Sequence, residues 1–194
     1  MLIAITGGIG SGKSVVSRVL DAMGYEVYDC DSRARAIIDN SGEILLEIAG
    51  CISDDVIDEN GALDRKALAS IVFADSAKLE ILNGITHGAV RRDLAEWKNR
   101  RWGGSRPIFV ETAILYQSGI DRMVDEVWEV TAPFEERVAR VMARDGIDRE
   151  AVCRRIESQK IVVDSPHENV KVIINDGFTP LLPQIIDCVA LSDT

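Results

Sequence analysis

Eight residues near the start of the chain limit its folding possibilities more than any other stretch: Gly7-Gly8-Ile9-Gly10-Ser11-Gly12-Lys13-Ser14. They satisfy the spacing G-x-x-x-x-G-K-[ST], with Gly7, Gly12, Lys13 and Ser14 at the defining positions. The run before them, LIAIT at residues 2–6, is apolar throughout and ends at a glycine pair. That is the pattern of a strand buried on both faces of a parallel sheet. After Lys13 the period changes. Val15, Val16, Val19 and Leu20 recur at helical spacing, and Gly24 supplies a stop. Strand, glycine-rich turn and helix, in that order, are the context the motif requires. The glycines let the backbone turn tightly and present several N–H groups to one phosphate. The helix that starts there adds the positive end of its dipole. Gly8, Ile9, Gly10, Ser11, Gly12, Lys13, Ser14 and Val15 are therefore candidate contacts for the phosphates of ATP. Lys13 is expected to reach the β- and γ-phosphates, and Ser14 to ligate Mg²⁺.

The rest of the chain reads as alternating strands and helices. Residues 25–28 (YEVY) form a second short strand and complete a βαβ unit. Residues 32–101 are mostly helical in pattern, with candidate helices over 34–38, 44–49, 65–73, 78–85 and 89–97, broken at Asn40-Ser41-Gly42 and at Asn60-Gly61. A helical stretch this long is an inserted subdomain rather than a crossover. Strand patterns resume at 108–110 and 127–131, a helix follows Pro133, and a last strand at 170–174 precedes a helix over about 181–191. The fold class predicted is α/β: a phosphate-loop NTPase-type parallel sheet of about five strands with helices on both faces, plus a helical insertion and a lid. The expected division is a nucleotide-binding core (1–31, 102–136 and 166–194), a helical substrate domain (32–101) and a lid (137–165).

Composition narrows the partners. The 194 residues carry 22 Lys and Arg against 32 Asp and Glu, a net charge of −10. Generic nucleic-acid binders show the opposite balance, so no nucleic-acid partner is expected. A local pocket of arginine, lysine and backbone N–H groups can still bind an anion. Cys30, Cys51, Cys153 and Cys188 form no CxxC pair and have no histidine at metal-ligand spacing, which suits reduced thiols in a cytoplasmic protein. Met1 runs straight into the first strand with no basic leader, and no apolar run approaches ~18 residues. Neither a signal peptide nor a membrane partner is expected.

Several charged groups are placed to do chemistry. Asp29 and Asp31 follow the second strand, two residues apart. In an extended segment both would face one way, at the end of a parallel strand where ligands bind in open α/β sheets. One carboxylate would accept a hydroxyl proton and the other would hold Mg²⁺ through water. The alternative is that Asp31 caps the helix that follows. Arg137, Arg140 and Arg144 share one helical face, and Arg149, Arg154 and Arg155 follow. As a group they suit a clamp over triphosphate oxygens; singly, each could be a solvated partner of Glu135, Glu136 or Asp145. Glu111 ends the 108–110 strand as a metal-side carboxylate would, though a glutamate there is also common without function. His87 alone reads more simply as a surface or capping residue.

Taken in order, these motifs resemble the dephospho-coenzyme A kinase family. The resemblance is carried by TGGIGSGK at 6–13, by Asp29-x-Asp31 with Arg35, by Gly61, Leu63, Asp64, Arg65, Leu68, Val72 and Phe73, and by Ile85, His87 and Arg91. ETAILYQSG at 111–119, Arg144-Asp145, Arg155-Ile156 with Gln159, and Asn175-Asp176-Gly177 complete it. Val15, Gly88, Glu111, Ala113 and Gln117 depart from the family's commoner Thr, Pro, Asp, Pro and Glu. The resemblance implies a helical substrate domain and a lid, ATP and Mg²⁺ as cosubstrates, and dephospho-coenzyme A as the small-molecule substrate. It implies catalytic roles for Asp31, Lys13, Asp29, Arg140 and Arg144, with Asp31 the base. It also implies substrate contacts from Asp31, Arg35, Arg65, His87 and Arg91, and a nucleotide-side role for Asn175. Two rivals share parts of this pattern. A nucleoside-monophosphate kinase lacks the insertion with its 61–73 segment, and a nucleotide-dependent switch needs neither the Asp29/Asp31 pair nor the arginine-rich lid.

Overall fold

The computed structural model describes residues 1–101, 103, 106–159 and 166–192. Five parallel strands form one sheet: β1 (Leu2–Thr6), β2 (Val27–Asp29), β3 (Ile108–Glu111), β4 (Glu126–Thr131) and β5 (Val170–Ile174), in the order β2-β3-β1-β4-β5. Helices flank the sheet, which bears out the expected α/β class. All five residues of β1 are buried, as its unbroken apolar run requires. On one face Ile3, Ile5, Phe109, Trp128, Val130 and Ile173 pack with Val16 and Leu20 of α1 (Lys13–Ala22) and with Ile185 and Val189 near the chain's end.

One neighbour relation differs from the local βαβ reading. β2 does not pair with β1; β3 lies between them. The second strand is also shifted to 27–29, because the Tyr25 N–H is taken by the Leu20 carbonyl at 2.9 Å in the turn after α1. The Tyr25 ring is buried under the Arg106 guanidinium, 4.0 Å from its centroid, and edge-on to Phe109.

The chain divides into two compact units, Met1–Asp29 with Arg101–Thr194, and Cys30–Arg100. The second is mainly helical: α2 (Cys30–Asn40), α3 (Gly42–Ile52), α4 (Arg65–Ala74) and α5 (Ser76–Arg101, whose last residue belongs to the sheet unit), with one antiparallel bridge between Ile57 and Leu63. Its core is Ile44, Ile48, Ile52, Val56, Leu68, Val72 and Ala89. Ser41 caps α3 by accepting from the Ile44 N–H, and Asp64 caps α4 by accepting from Lys66 and Ala67. The two helices expected over 78–85 and 89–97 are one continuous helix. Gly84 and Gly88 fall inside it. Glycine costs about 1 kcal/mol against alanine there, but it keeps the N–H that a proline would remove.

The sheet unit ends in α6 (Phe134–Asp145), α7 (Arg149–Ser158) and α8 (Leu181–Ser192). α6 stops at Gly146 in the left-handed region, and Asp148 caps α7 through the Ala151 N–H. Val138, Val141, Val152 and Ile156 join α6 and α7 into one hairpin. At the amino end of β4 the buried Glu126 carboxylate is satisfied by the Trp128 indole N–H, Lys171 at 3.0 Å, Asn169 at 3.3 Å and the Ser192 hydroxyl at 2.9 Å. A buried carboxylate needs such partners, and these tie β4, β5 and α8 together.

Candidate active site

The loop between β1 and α1 follows from its glycines. Gly12 sits at φ 97° as the cap of α1, a conformation other residues rarely adopt, and a Cβ there would lie 2.0 Å from the Asn175 side-chain nitrogen. Gly10, at φ 80°, leaves room for α6: a Cβ would fall 2.6 Å from the Arg137 carbonyl oxygen. Asn175 comes from just beyond β5. Its side-chain amide donates to the Ser11 carbonyl at 2.8 Å, and its own N–H bonds the Thr131 carbonyl at 2.8 Å. The last strand thus braces the first loop. The Ser11 hydroxyl is buried without a hydrogen-bond partner among the described residues.

Lys13 opens α1, and its ammonium donates to the Gly7 carbonyl at 2.8 Å, with the Gly8 carbonyl at 3.5 Å. Ser14 and Val15 are exposed in the first turn. Ser14 offers a hydroxyl beside the loop that would hold the phosphates. Among the described residues no three His, Cys, Asp or Glu side chains gather to enclose a cation. One hydroxyl next to a phosphate cradle fits Mg²⁺, which keeps several waters and shares its remaining positions with substrate phosphates.

α6 separates its three arginines. Arg137 donates through Nε to the Ile9 carbonyl at 2.9 Å, and its Nη2 lies over Gly8. Burial pushes its pKa down from the ordinary value. Arg140 approaches the Gly10 carbonyl at 3.5 Å and Glu136 at 3.8 Å. Arg144 instead forms a two-point pair with Asp145 at 2.7 and 3.1 Å, and Arg155 reaches the same carboxylate at 2.9 Å. The Asp145 carboxyl is held below its usual range chiefly by the Arg144 hydrogen bond. Gln159, after α7, accepts from the Ile9 N–H at 2.7 Å. Arg137 was not singled out from its neighbours by spacing, since its contact depends on where α6 lies against the loop. Of the expected lid over 137–165, residues 160–165 lie outside the described residues. A cavity of about 240 Å³ opens beside Gly7 and Gly8, lined by Thr6, Tyr116, Gln117, Glu129 and Gln159 among others.

The carboxylates need one correction. Asp29 ends β2, but Cys30 already begins α2, so Asp31 stands in the first helical turn rather than in an extended segment. The two-residue alternation therefore does not align Asp29 with Asp31. Nor does Asp31 sit at the cap position of a helix starting at Ser32, since the helix starts two residues earlier. The register partner of Asp29 is Glu111, which also pairs with Ile5 on β1.

Within the helical unit, Asp31, Arg35 and Arg65 line one groove of about 440 Å³, floored by Ala34, Ile38, Leu63, Leu68 and Leu82 and edged by Asn83 and Thr86. Arg65 is held at 2.7 Å by Asp39. His87 and Arg91 are not among the groove's lining residues. They share a face of α5, four residues apart, and the half-buried His87 has its pKa lowered first by burial and then by Arg91. Cys30 is buried and Cys51 exposed, and no cysteine is bonded to another. No helix among the described residues is long and apolar enough to cross a membrane.

Comparison with known proteins adds an independent finding. The model of the family described as CoaE: Dephospho-CoA kinase matches residues 1–180. A protein of Geobacter sulfurreducens named dephospho-CoA kinase is 40% identical over 189 residues, covering 96% of this chain and 95% of its own. One of the same name from Porphyromonas gingivalis is 44% identical over 158 residues, covering 81% of this chain and 77% of its own. Among solved structures, the protein TT1252 of Thermus thermophilus is 35% identical with a TM-score of 0.75, covering 99% of this chain and 94% of its own. A dephospho-CoA kinase of Campylobacter jejuni, at 24% identity and TM-score 0.69 over 98% of this chain and 94% of that one, shares the fold.

Proposed function

Because the chain belongs to the dephospho-CoA kinase family, we propose that its phosphate loop and its helical groove serve the two substrates of one transfer: ATP and the 3′-hydroxyl of the ribose of dephospho-coenzyme A. The enzyme is a phosphotransferase with an alcohol acceptor, and its product is coenzyme A, made in the last step of that cofactor's biosynthesis. The observation that carries the reading is the loop of residues 7–14 between a buried parallel strand and α1, with Lys13 at its close.

The roles assigned to individual residues are the following. The N–H groups of the loop from Gly8 to Ser14 cradle the phosphates, Val15 flanks them, and Asn175 keeps the Gly12 turn in shape. Lys13 leaves the Gly7 and Gly8 carbonyls for the β- and γ-phosphate oxygens and offsets charge that grows during transfer. Arg140 adds a second cation on the same side. Arg144, paired with Asp145, joins it only by exchanging that partner. Ser14 would hold Mg²⁺, with Asp29 and Glu111 as carboxylates on its side of the site, and the ion would supply positive charge to neutralise the phosphates. Asp31 takes the proton of the attacking hydroxyl, and Arg35 and Arg65 hold the acceptor. His87 and Arg91 orient the acceptor's side of α5. Residues 1–31, 102–136 and 166–194 act as the nucleotide core, 32–101 as the acceptor domain and 137–165 as the lid. The cytoplasm, where ATP and reduced thiols coexist, is the proposed location.

The test is ADP release by the purified chain with dephospho-coenzyme A, beside a panel of nucleoside monophosphates and small sugars. ADP release that depends on dephospho-coenzyme A alone is the expected outcome. Equal or faster release with a nucleoside monophosphate would replace this acceptor assignment.

A further inference from the structure

We infer that Ile9 is the point at which the α6–α7 hairpin grips the phosphate loop, and that Arg137 and Gln159 are positioning residues for ATP through that grip. The inference rests on the nucleotide-binding reading of the loop. Three parts of Ile9 are engaged at once. Its N–H donates to Gln159 Oε1 at 2.7 Å. Its carbonyl accepts from Arg137 Nε at 2.9 Å. Its side chain packs against the apolar cluster of Val138, Val141, Val152 and Ile156 that joins the two helices. The hydrogen-bond partners lie 128 and 150 residues further along the chain, one on α6 and one just past the end of α7.

The place of this grip matters more than its strength. A loop with glycines at 7, 8, 10 and 12 is soft, because glycine restricts the backbone least. Binding a triphosphate well demands that its N–H groups already point at one centre. α1 fixes the loop at one end and β1 at the other. At the crown between them, Arg137 and Gln159 hold both backbone polar groups of Ile9 from outside, on the two successive peptides that flank its Cα. Gly10 belongs to the same contact, since only a residue without Cβ lets the Arg137 backbone come so close. The grip also runs in the other direction. It sets the height of α6 above the loop and so places Arg140, one turn beyond Arg137 and 3.5 Å from the Gly10 carbonyl. With its Nε committed to Ile9, Arg137 acts on ATP through the loop it shapes.

The experiment uses the full chain and the variants Arg137→Met and Gln159→Met, which keep the aliphatic bulk and remove one hydrogen bond each. Arg137→Lys keeps a donor, and Gln159→Asn shortens the reach to the Ile9 N–H without adding apolar surface. ATP affinity is read by calorimetry, the KM values for ATP and acceptor from steady-state rates, and the thermal midpoint separately. Each Met variant should bind ATP about 5-fold more weakly, as the loss of one hydrogen bond implies. The acceptor KM should stay within about two-fold. Arg137→Lys should return ATP affinity to within about two-fold of wild type, and Gln159→Asn should behave like Gln159→Met. The double Met variant should lose less than the product of the two single losses, since both act on one residue of the loop. Unchanged ATP affinity in folded Arg137→Met and Gln159→Asn chains, whatever their thermal midpoints, would reduce these contacts to packing and overturn the inference. A wild-type chain that binds ATP but does not phosphorylate dephospho-coenzyme A would overturn the acceptor assignment instead, and the same ATP titrations would still decide the grip.

Discussion

Asp29 and Glu111 are register partners at the carboxyl ends of β2 and β3. Neighbouring strands run about 4.8 Å apart, and partners in a parallel pair face the same side of the sheet. Two like charges so placed normally cost stability. Their position at the edge that carries the phosphate loop is consistent with a cation as the reason for the arrangement. Asp29→Asn and Glu111→Gln should each raise the Mg²⁺ concentration needed for half-maximal rate. Metal titrations with an unchanged requirement in both variants would remove the pair from the metal's surroundings.

Lys13→Ala should nearly abolish transfer without unfolding the chain. Lys13 is half-buried and its ammonium lies at the loop surface beside the Gly7 and Gly8 carbonyls, so its loss leaves no cavity in the core. Single-turnover rates and a thermal melt answer both halves. Wild-type turnover in a folded Lys13→Ala chain would end the phosphate-loop assignment.

Asp31→Asn separates a base from a helix residue. Removing a general base typically slows transfer ~10²–10⁴-fold. If Asp31 only complements the dipole in the first turn of α2, the same change should cost about 0.3–1 kcal/mol of stability and leave the rate alone. The prediction is a large fall in rate with ATP affinity within a few-fold of wild type. A fully active Asp31→Asn enzyme would contradict it.

The lid arginines should divide as their contacts do. Arg140→Ala should lower the transfer rate more than it lowers the thermal midpoint, since the half-buried guanidinium makes only long contacts, with the Gly10 carbonyl at 3.5 Å and Glu136 at 3.8 Å. Arg144→Ala should have the smaller catalytic effect, because its guanidinium is paired with Asp145. Rates for the two variants in reverse order would show that Arg144 gives up its partner when ATP is bound.

His87 makes acid destabilising. Its folded pKa lies below the ordinary value of about 6.5 because of burial and Arg91. The unfolded chain therefore takes up a proton at a higher pH than the folded one does. Stability from this group is intact above the ordinary value and declines as the pH falls from there through the lowered, folded value. Thermal midpoints of wild type should drop across that window more than those of His87→Gln. Parallel pH curves for the two proteins would assign the acid sensitivity elsewhere.

Much of this was legible before the coordinates. Residues 2–14 carry strand, turn and helix in their periodicity, and the buried parallel sheet follows from runs such as 108–110 and 127–131. What pattern cannot carry is who sits beside whom. β3 enters between β1 and β2 from about 80 residues away, so Glu111 rather than Asp31 faces Asp29. Arg137, Arg140 and Arg144 are equivalent by spacing, yet one holds Ile9, one approaches Gly10 and one is taken by Asp145. α5 runs unbroken through residues 86–88, where the sequence pattern leaves a gap between two helices, because a glycine such as Gly88 weakens a helix without removing a hydrogen bond.

The bond from Asn175 to the Ser11 carbonyl spans 164 residues, and it gives the order of synthesis a consequence. The loop precedes the side chain that braces its Gly12 turn by the whole length of the sheet unit's later strands. A chain that stops before β5 lacks that brace and the edge strand that carries it. Such chains are left with an unbraced Gly12 turn. The shape of the Gly12 turn therefore waits on the far edge of the sheet, however early the loop itself is synthesised.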